Sequence, residues 1–128
     1  AEGEVMPIKA ENRAKYPKEW ALISRLIRKY RADNNCECRG ECGYNHETEN
    51  ARWNIGGRQC LARNGEGHPI TRSKVVLTVA HIDQDPTNNR EGNLLALCQR
   101  CHNRLDAPHR RRNATKTRRA RKAVRELL

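Results

Sequence analysis

The placement of six cysteines constrains this chain more than any other feature. Cys98 and Cys101 are separated by two residues, and three more cysteines lie close together at Cys36, Cys38 and Cys42. Thiolates at such spacing can converge on one zinc ion, which takes four ligands with Zn–S distances of about 2.3 Å. One such pair is a moderate indication of a metal site, and a second pair makes it strong. The sequence therefore predicts a zinc ion that joins two distant parts of the chain.

Metal is favoured over disulfides because the core is thin and nothing indicates secretion. Hydrophobic residues make up 36% of the 128 residues, aromatic residues 4%, and Phe is missing. Such a chain buries too little apolar surface to be stable by packing alone, so it needs a crosslink. The sequence shows no signal-peptide core and no membrane-spanning run. We therefore expect a reducing cytoplasm, bacterial or of a phage-infected host cell, where clustered cysteines usually bind metal.

Spacing also predicts the ligands of the structural zinc. Cys98 and Cys101 form one pair, at a turn that enters a helix. Cys42 belongs to the second pair, because the glycine after it permits a tight turn. Its partner is Cys38 or Cys36, and the usual ligand spacing favours Cys38. The predicted site is thus Cys38, Cys42, Cys98 and Cys101.

Two cysteines, Cys36 and Cys60, are left over by this assignment. The simpler interpretation is that both are buried or free thiols, because cysteine behaves as a small apolar residue. The alternative is a second zinc ion, for which His46 and His68 are nearby in the sequence.

Hydrophobic periodicity predicts an α+β fold with few elements. The apolar residues of the first helix recur at three- and four-residue spacing and are Trp20, Ile23, Ile27 and Tyr30. This period indicates an amphipathic helix over about 17–32. Residues 34–67 predict a metal knuckle and a long loop, and the β-branched run 74–82 predicts a buried strand. A helix that includes Cys101 to Asp106 follows, and 113–128 predicts a second, basic helix or tail.

Two histidines and an aspartate can supply hydrolytic chemistry. His81 ends the predicted strand just before a polar loop, where an imidazole that titrates near neutrality can act as a general base. His102 and Asp106 are four residues apart on the predicted helix and so share one face. A His and a carboxylate at this spacing can bind one divalent cation. Taken singly, each feature is more often structural: a surface histidine, or a helical surface contact.

The sequences LTVAHI at 77–82 and NLLALCQRCH at 93–102 together resemble the HNH endonucleases, especially small phage-type members with a zinc knuckle. The resemblance extends over about 36–106. It implies a small zinc-stapled ββα-metal, treble-clef-like domain, in which two strands and a helix surround one catalytic metal. It also implies a DNA endonuclease that leaves 5′-phosphate and 3′-hydroxyl ends and uses Mg²⁺, Mn²⁺ or Ni²⁺.

The same resemblance implies a role for each matching residue. His81 matches the general base of the family, and Asn93 matches the asparagine whose hydrogen bonds hold a loop in shape. His102 matches a metal ligand on the helix. The cysteine pairs match the structural zinc that some members carry.

One position departs from the family pattern. Many members have an aspartate before the first histidine as a ligand of the catalytic metal, and here that position is Ala80. Either the chain is a weakened or inactive relative, or the second ligand comes from elsewhere. We expect Asp106, because its spacing from His102 needs no loop rearrangement, and then Asp83. A catalytically silent zinc-containing DNA-binding module is the alternative function.

Positive charge is concentrated at the end of the chain. Residues 108–128 hold nine Lys or Arg and one Glu, out of a formal net charge of +11. Such an excess suits the phosphates of DNA. The expected DNA contacts are Arg110, Arg111, Arg112, Lys116, Arg118, Arg119, Arg121 and Lys122. The predicted organisation is an N-terminal arm at 1–16, the zinc-stapled nuclease domain at 17–107 and the basic extension at 108–128. No membrane or small-molecule partner is expected, and the sequence leaves oligomeric state open.

Overall fold

The computed structural model describes residues 14–128, which form a small α+β fold, as predicted. The helical and extended elements follow one another along the chain as α1 (Trp20–Arg25) with a π-helical continuation (Leu26–Arg31), α2 (His46–Ala51), β1 (Thr78–His81), a 3₁₀ turn (Glu91–Asn93), β2 (Leu94–Leu97) and α3 (Gln99–Leu127). Of the predicted N-terminal arm, residues 1–13 lie outside the described part.

The first helix buries only part of its predicted apolar stripe. Trp20 and Ile27 are buried, whereas Tyr30 is 76% exposed, contrary to the prediction. The reason is the π-helical continuation, whose wider turn is closed by the bond from Ala32 N–H to the carbonyl oxygen of Ile27 at 2.9 Å. A wider turn rotates the following side chains away from the stripe of an α-helix.

The two strands form an antiparallel pair in which Thr78 lies opposite Leu97 and His81 lies opposite Leu94. β1 is shorter than the predicted strand because the preceding residues bond elsewhere. Val75 N–H donates to Glu66 O, and Leu77 N–H donates to the side chain of Asn64. The run nevertheless supplies the core, since Val75 and Leu77 are each 1% exposed.

α3 is one helix of 29 residues, where the sequence predicts two with a break between them. It continues through Pro108 and across the predicted domain boundary at 107/108. Proline already has a helical φ, but it lacks the N–H that would bond to the preceding turn, and its ring crowds the carbonyl there. Pro108 itself is exposed. From Arg110 to Leu128 every residue is exposed. Among the described helices, none has the length and apolar character needed to cross a membrane.

The segment 34–67 contains a helix that the sequence did not predict. α2 has six residues, and the side chain of its N-cap residue, Asn45, accepts a hydrogen bond from Glu47 N–H at 2.9 Å. Six residues are too few to show a hydrophobic period, so only the cap marks the helix in the sequence. Its consequence is that His46, in the first turn, is buried at 1% exposure.

Candidate functional site

A cleft of about 430 Å³ opens between β1, the loop that follows it and the start of α3. Four polar residues of its lining matter for chemistry: Thr78 and His81 from β1, and His102 and Asp106 from α3. Tyr16 and Gln84 line it as well. The structure therefore brings three of the sequence-predicted site residues, His81, His102 and Asp106, into one cavity.

His81 is held in one orientation. Its ring stacks on Trp20 with centroids 5.0 Å apart and 22° between the planes. Its Nε2 lies 2.9 Å from Asn89 Oδ1, while Asn89 Nδ2 donates to Pro86 O at 3.2 Å. Because the amide nitrogen is used by that carbonyl, the amide oxygen faces the imidazole and Nε2 must carry the proton. Nδ1 then keeps its lone pair, and it has no hydrogen-bond partner among the described residues.

His102 and Asp106 form a pair that faces the same cleft. His102 Nδ1 lies 2.5 Å from Thr78 Oγ1, and its Nε2 lies 3.2 Å from Asp106 Oδ2. Gln84 Nε2 donates to the other carboxylate oxygen at 3.0 Å. Burial raises the pKa of the Asp106 carboxyl, but the hydrogen bonds from His102 and Gln84 outweigh it and hold the pKa below its usual value. Asp106 is therefore an anion at neutral pH.

His102 and Asp106 have the geometry of an i, i+4 ion pair, with 3.2 Å between Nε2 and Oδ2, and both side chains are about one-quarter exposed. This separation is also close to the roughly 3 Å between adjacent oxygen or nitrogen ligands of one Mg²⁺-like ion, each of which lies about 2.1 Å from the ion.

Neither Ala80 nor Asp83 adds a metal-ligating atom to the His102–Asp106 pair. Ala80 is 2% exposed and has no donor atom. Asp83 is committed to the loop: Oδ2 accepts from Asn88 Nδ2 at 2.7 Å, and Oδ1 accepts from Asp85 N–H and from Asn93 Nδ2, both at 2.9 Å. These bonds, led by that from Asn88, lower the pKa of Asp83.

Asn93 ties the two ends of the loop together. Besides its bond to Asp83, its Nδ2 donates to Asn88 O at 2.8 Å and its Oδ1 accepts from Asp83 N–H at 3.1 Å. Its carbonyl oxygen accepts from Ile82 N–H at 2.9 Å. Asn93 thus shapes the loop that carries Asn89, and so acts on His81 from a distance.

The cysteines gather into two buried clusters that could each hold a metal ion. The first cluster is Cys36, Cys60, Cys98 and Cys101, and the second cluster is Cys38, Cys42, His46 and Cys101. Within each, the ligand atoms lie within 4.8 Å of one another. All six cysteines are at most 5% exposed, and none forms a disulfide.

This grouping differs from the predicted set of Cys38, Cys42, Cys98 and Cys101. The difference arises because backbone bonds join the segments that carry Cys36 and Cys60: Cys36 N–H donates to Ala62 O, and Cys60 N–H donates to Cys38 O. Cys98 N–H in turn donates to Cys36 Sγ. The two leftover thiols therefore lie in one cluster with Cys98, whereas Cys38 and Cys42 lie in the other, and both clusters include Cys101.

His46 is a ligand candidate that the sequence assignment left out. It follows Cys42 by four residues, a spacing that a search limited to cysteine pairs passes over. His68, the other nearby histidine, belongs to neither cluster. Its Nδ1 accepts hydrogen bonds from Ile70 N–H at 3.0 Å and Thr71 N–H at 3.3 Å, so it stabilises a turn.

The basic side chains of α3 extend into solvent. The eight predicted DNA-contact residues are all exposed, and the one ion pair among them in the described structure joins Lys122 to Glu126 at 3.9 Å. Positive charge along this part of the helix is thus largely uncompensated.

Comparison with known proteins identifies no relative: no family model, no curated protein and no solved structure matches the chain.

The geometry predicts the tautomer of His81. In the neutral form of the ring, ¹⁵N NMR should show a protonated Nε2 and an unprotonated Nδ1. Asn89→Ala removes the acceptor and should let the two tautomers mix. Asn113→Ala, which removes the partner of His109 on the exposed helix, should leave the His81 signals unchanged. A wild-type chain with the proton on Nδ1 would contradict this orientation.

Proposed function

We propose that the chain is a metal-dependent DNA endonuclease that cleaves a phosphodiester in the cleft beside His81. One observation carries the proposal: an imidazole oriented through Nε2 shares a cleft with a His–carboxylate pair of cation-binding spacing. A hydrolytic nuclease needs these parts, namely a base for water and a cation at the phosphate.

The side chains have distinct roles in this proposal. His81 Nδ1 accepts a proton from the water that attacks phosphorus, and Asn89 keeps the opposite nitrogen protonated. Thr78 and Gln84 orient His102 and Asp106, which hold the cation. A bound divalent ion such as Mg²⁺, Mn²⁺ or Ni²⁺ would supply charge stabilisation at the phosphate. The water oxygen bonds to phosphorus as the bond to the 3′ oxygen breaks, and solvent water protonates that oxygen, so the products are 5′-phosphate and 3′-hydroxyl ends.

The exposed part of α3 provides the attraction for DNA. Its arginines and lysines follow the cleft residues on the same helix, so a duplex bound along the helix passes the cleft. Contacts of this kind bind phosphates irrespective of sequence and weaken as salt increases.

A catalytically silent zinc-containing DNA-binding module is the second candidate. Ala80 favours it, because the described lining of the cleft then offers a cation a single carboxylate, that of Asp106. The two functions share the cysteine clusters and the basic helix, and they differ only in cleavage.

Nicking of supercoiled plasmid separates the two candidates. Wild-type protein should nick in Mg²⁺, Mn²⁺ or Ni²⁺ and not in excess chelator. His81→Ala should lower the rate by about 10²–10⁴, the usual contribution of a general base, while DNA binding is retained.

Asp106→Asn should lower cleavage as well, since an amide binds a cation more weakly than a carboxylate. The matched control is Asp33→Asn, because Asp33 is exposed and has a φ of 52°, which asparagine adopts readily. No nicking in any metal by folded wild-type chain would leave the silent module as the function, and full activity of His81→Ala would exclude His81 as the base.

The contribution of the basic part of α3 to DNA binding is measured by how the binding constant depends on salt concentration. Replacing Arg118 and Arg121 by Gln removes up to two phosphate contacts, so the slope of log Kobs against log salt should become shallower by about 2. Replacing the exposed Arg52 and Arg58 by Gln removes the same charge elsewhere and should leave the slope unchanged. Equal effects of the two double variants would show that only net charge matters and that α3 is not the DNA contact.

A further inference from the structure

The two cysteine clusters share one ligand atom, the Sγ of Cys101. We propose that the clusters bind two zinc ions joined by a bridging Cys101 thiolate. This proposal concerns the structural metal centre and holds whether or not the cleft cuts DNA.

The number of donors supports a bridge. Two separate tetrahedral zinc ions need eight ligands, and two ions with one common ligand need seven. The described clusters contain seven: all six cysteines of the chain and His46. Each ion then has a full shell of four, and no cysteine is left without a role. Sulfur suits the shared position, because a thiolate has enough lone pairs to bind two metal ions.

The distances between donors match tetrahedral zinc. With Zn–S near 2.3 Å, neighbouring sulfurs of one tetrahedron are about 3.8 Å apart. Cys60 Sγ and Cys98 Sγ are 4.0 Å apart, which is too far for a disulfide bond of about 2.05 Å. In the other cluster, His46 Nε2 lies 3.3 Å from Cys38 Sγ, 3.5 Å from Cys42 Sγ and 3.6 Å from Cys101 Sγ. One nitrogen at equal distances from three sulfurs is the arrangement expected around a central ion.

The surroundings of His46 also indicate a metal ligand. Its Nδ1 is buried and forms no regular hydrogen bond within the described residues, while a carboxylate oxygen of Glu49 lies 3.5 Å away. Glu49 is itself fixed by Arg100, whose Nη1 lies 3.0 Å from both carboxylate oxygens. A histidine that binds zinc through one nitrogen usually presents the other N–H to a carboxylate.

The two-ion centre carries a moderate charge. Six thiolates and two Zn²⁺ ions sum to −2, because metal binding releases the thiol protons. The remaining charge lies at the first turn of α3, where Cys98 is the N-cap residue and the helix dipole favours anions.

The bridge determines which parts of the chain the metal joins. The first cluster ties Cys36 and Cys60 to the start of α3, and the second ties the turn at Cys38–Cys42 and α2 to the same place. Cys101 is the single residue common to both. Its loss should therefore affect both ions, whereas the loss of any other cysteine directly removes a ligand from only one.

Metal content gives the first test. Purified full-length chain should contain two zinc ions per molecule. The double variant Cys36→Ser/Cys60→Ser should lose one zinc and retain the other. A single site made of Cys38, Cys42, Cys98 and Cys101 instead predicts one zinc in both proteins. One ion per wild-type chain, or iron with acid-labile sulfide in place of zinc, overturns the proposal.

Cadmium substitution tests the bridge in the intact protein, without any variant that has to fold. Wild-type chain loaded with ¹¹³Cd should show two cadmium signals, and the Cys101 Hβ protons should show scalar coupling to both. The Cys60 Hβ protons are the internal control and should couple to one. Two cadmium ions with Cys101 coupled to only one of them, or a single cadmium signal, contradicts a bridging thiolate.

Discussion

The rest of the structure depends on the convergence of seven buried sulfur and nitrogen donors at the first turn of α3. Four separate parts of the chain meet there: the extended segment at Cys36–Cys38, the turn and helix at Cys42–His46, the strand-like residue Cys60, and Cys98–Cys101. The apolar residues alone make a small core, since two four-residue strands and a short helix have little surface to bury. The two clusters could each hold a metal ion, and coordination of the proposed zinc ions would hold these segments together.

The same convergence positions the cleft. His102 follows Cys101 directly, so whatever fixes Cys101 also fixes the start of the helix face that carries His102 and Asp106. β2 leads into Cys98, and β1 pairs with β2, which places His81 across from that helix face. The loop between the strands is held by Asn93, whose side chain bonds to Asp83 and to the backbone of Asn88, next to the Asn89 that contacts His81. The cysteine clusters and the cleft residues are thus adjacent in sequence and in space, although they share no side chain.

Features with a short period or a short spacing along the chain could be predicted from the sequence. Features that depend on contacts between distant segments could not. Trp20 and Ile27 were recognisable from a helical period, and His102 and Asp106 from a four-residue spacing on one helix. Tyr30 was misplaced because a switch from α- to π-helical hydrogen bonding leaves no mark in a hydrophobic pattern. The division of the cysteines between the two clusters could not be predicted from their sequence spacing. The contact of Cys36 and Cys60 with Cys98 depends on backbone bonds between distant segments. The bond from Asn89 to His81 likewise depends on the shape of a loop.

The claim that metal coordination holds this fold can be decided by the ¹H–¹⁵N NMR spectrum of the reduced chain before and after zinc is removed. Removal should abolish the dispersed signals of β1, β2 and the region around His46, and added zinc should restore them. Residues 110–128 make few contacts with the core and should change least. A metal-free, reduced chain that kept the same dispersed spectrum would contradict the claim.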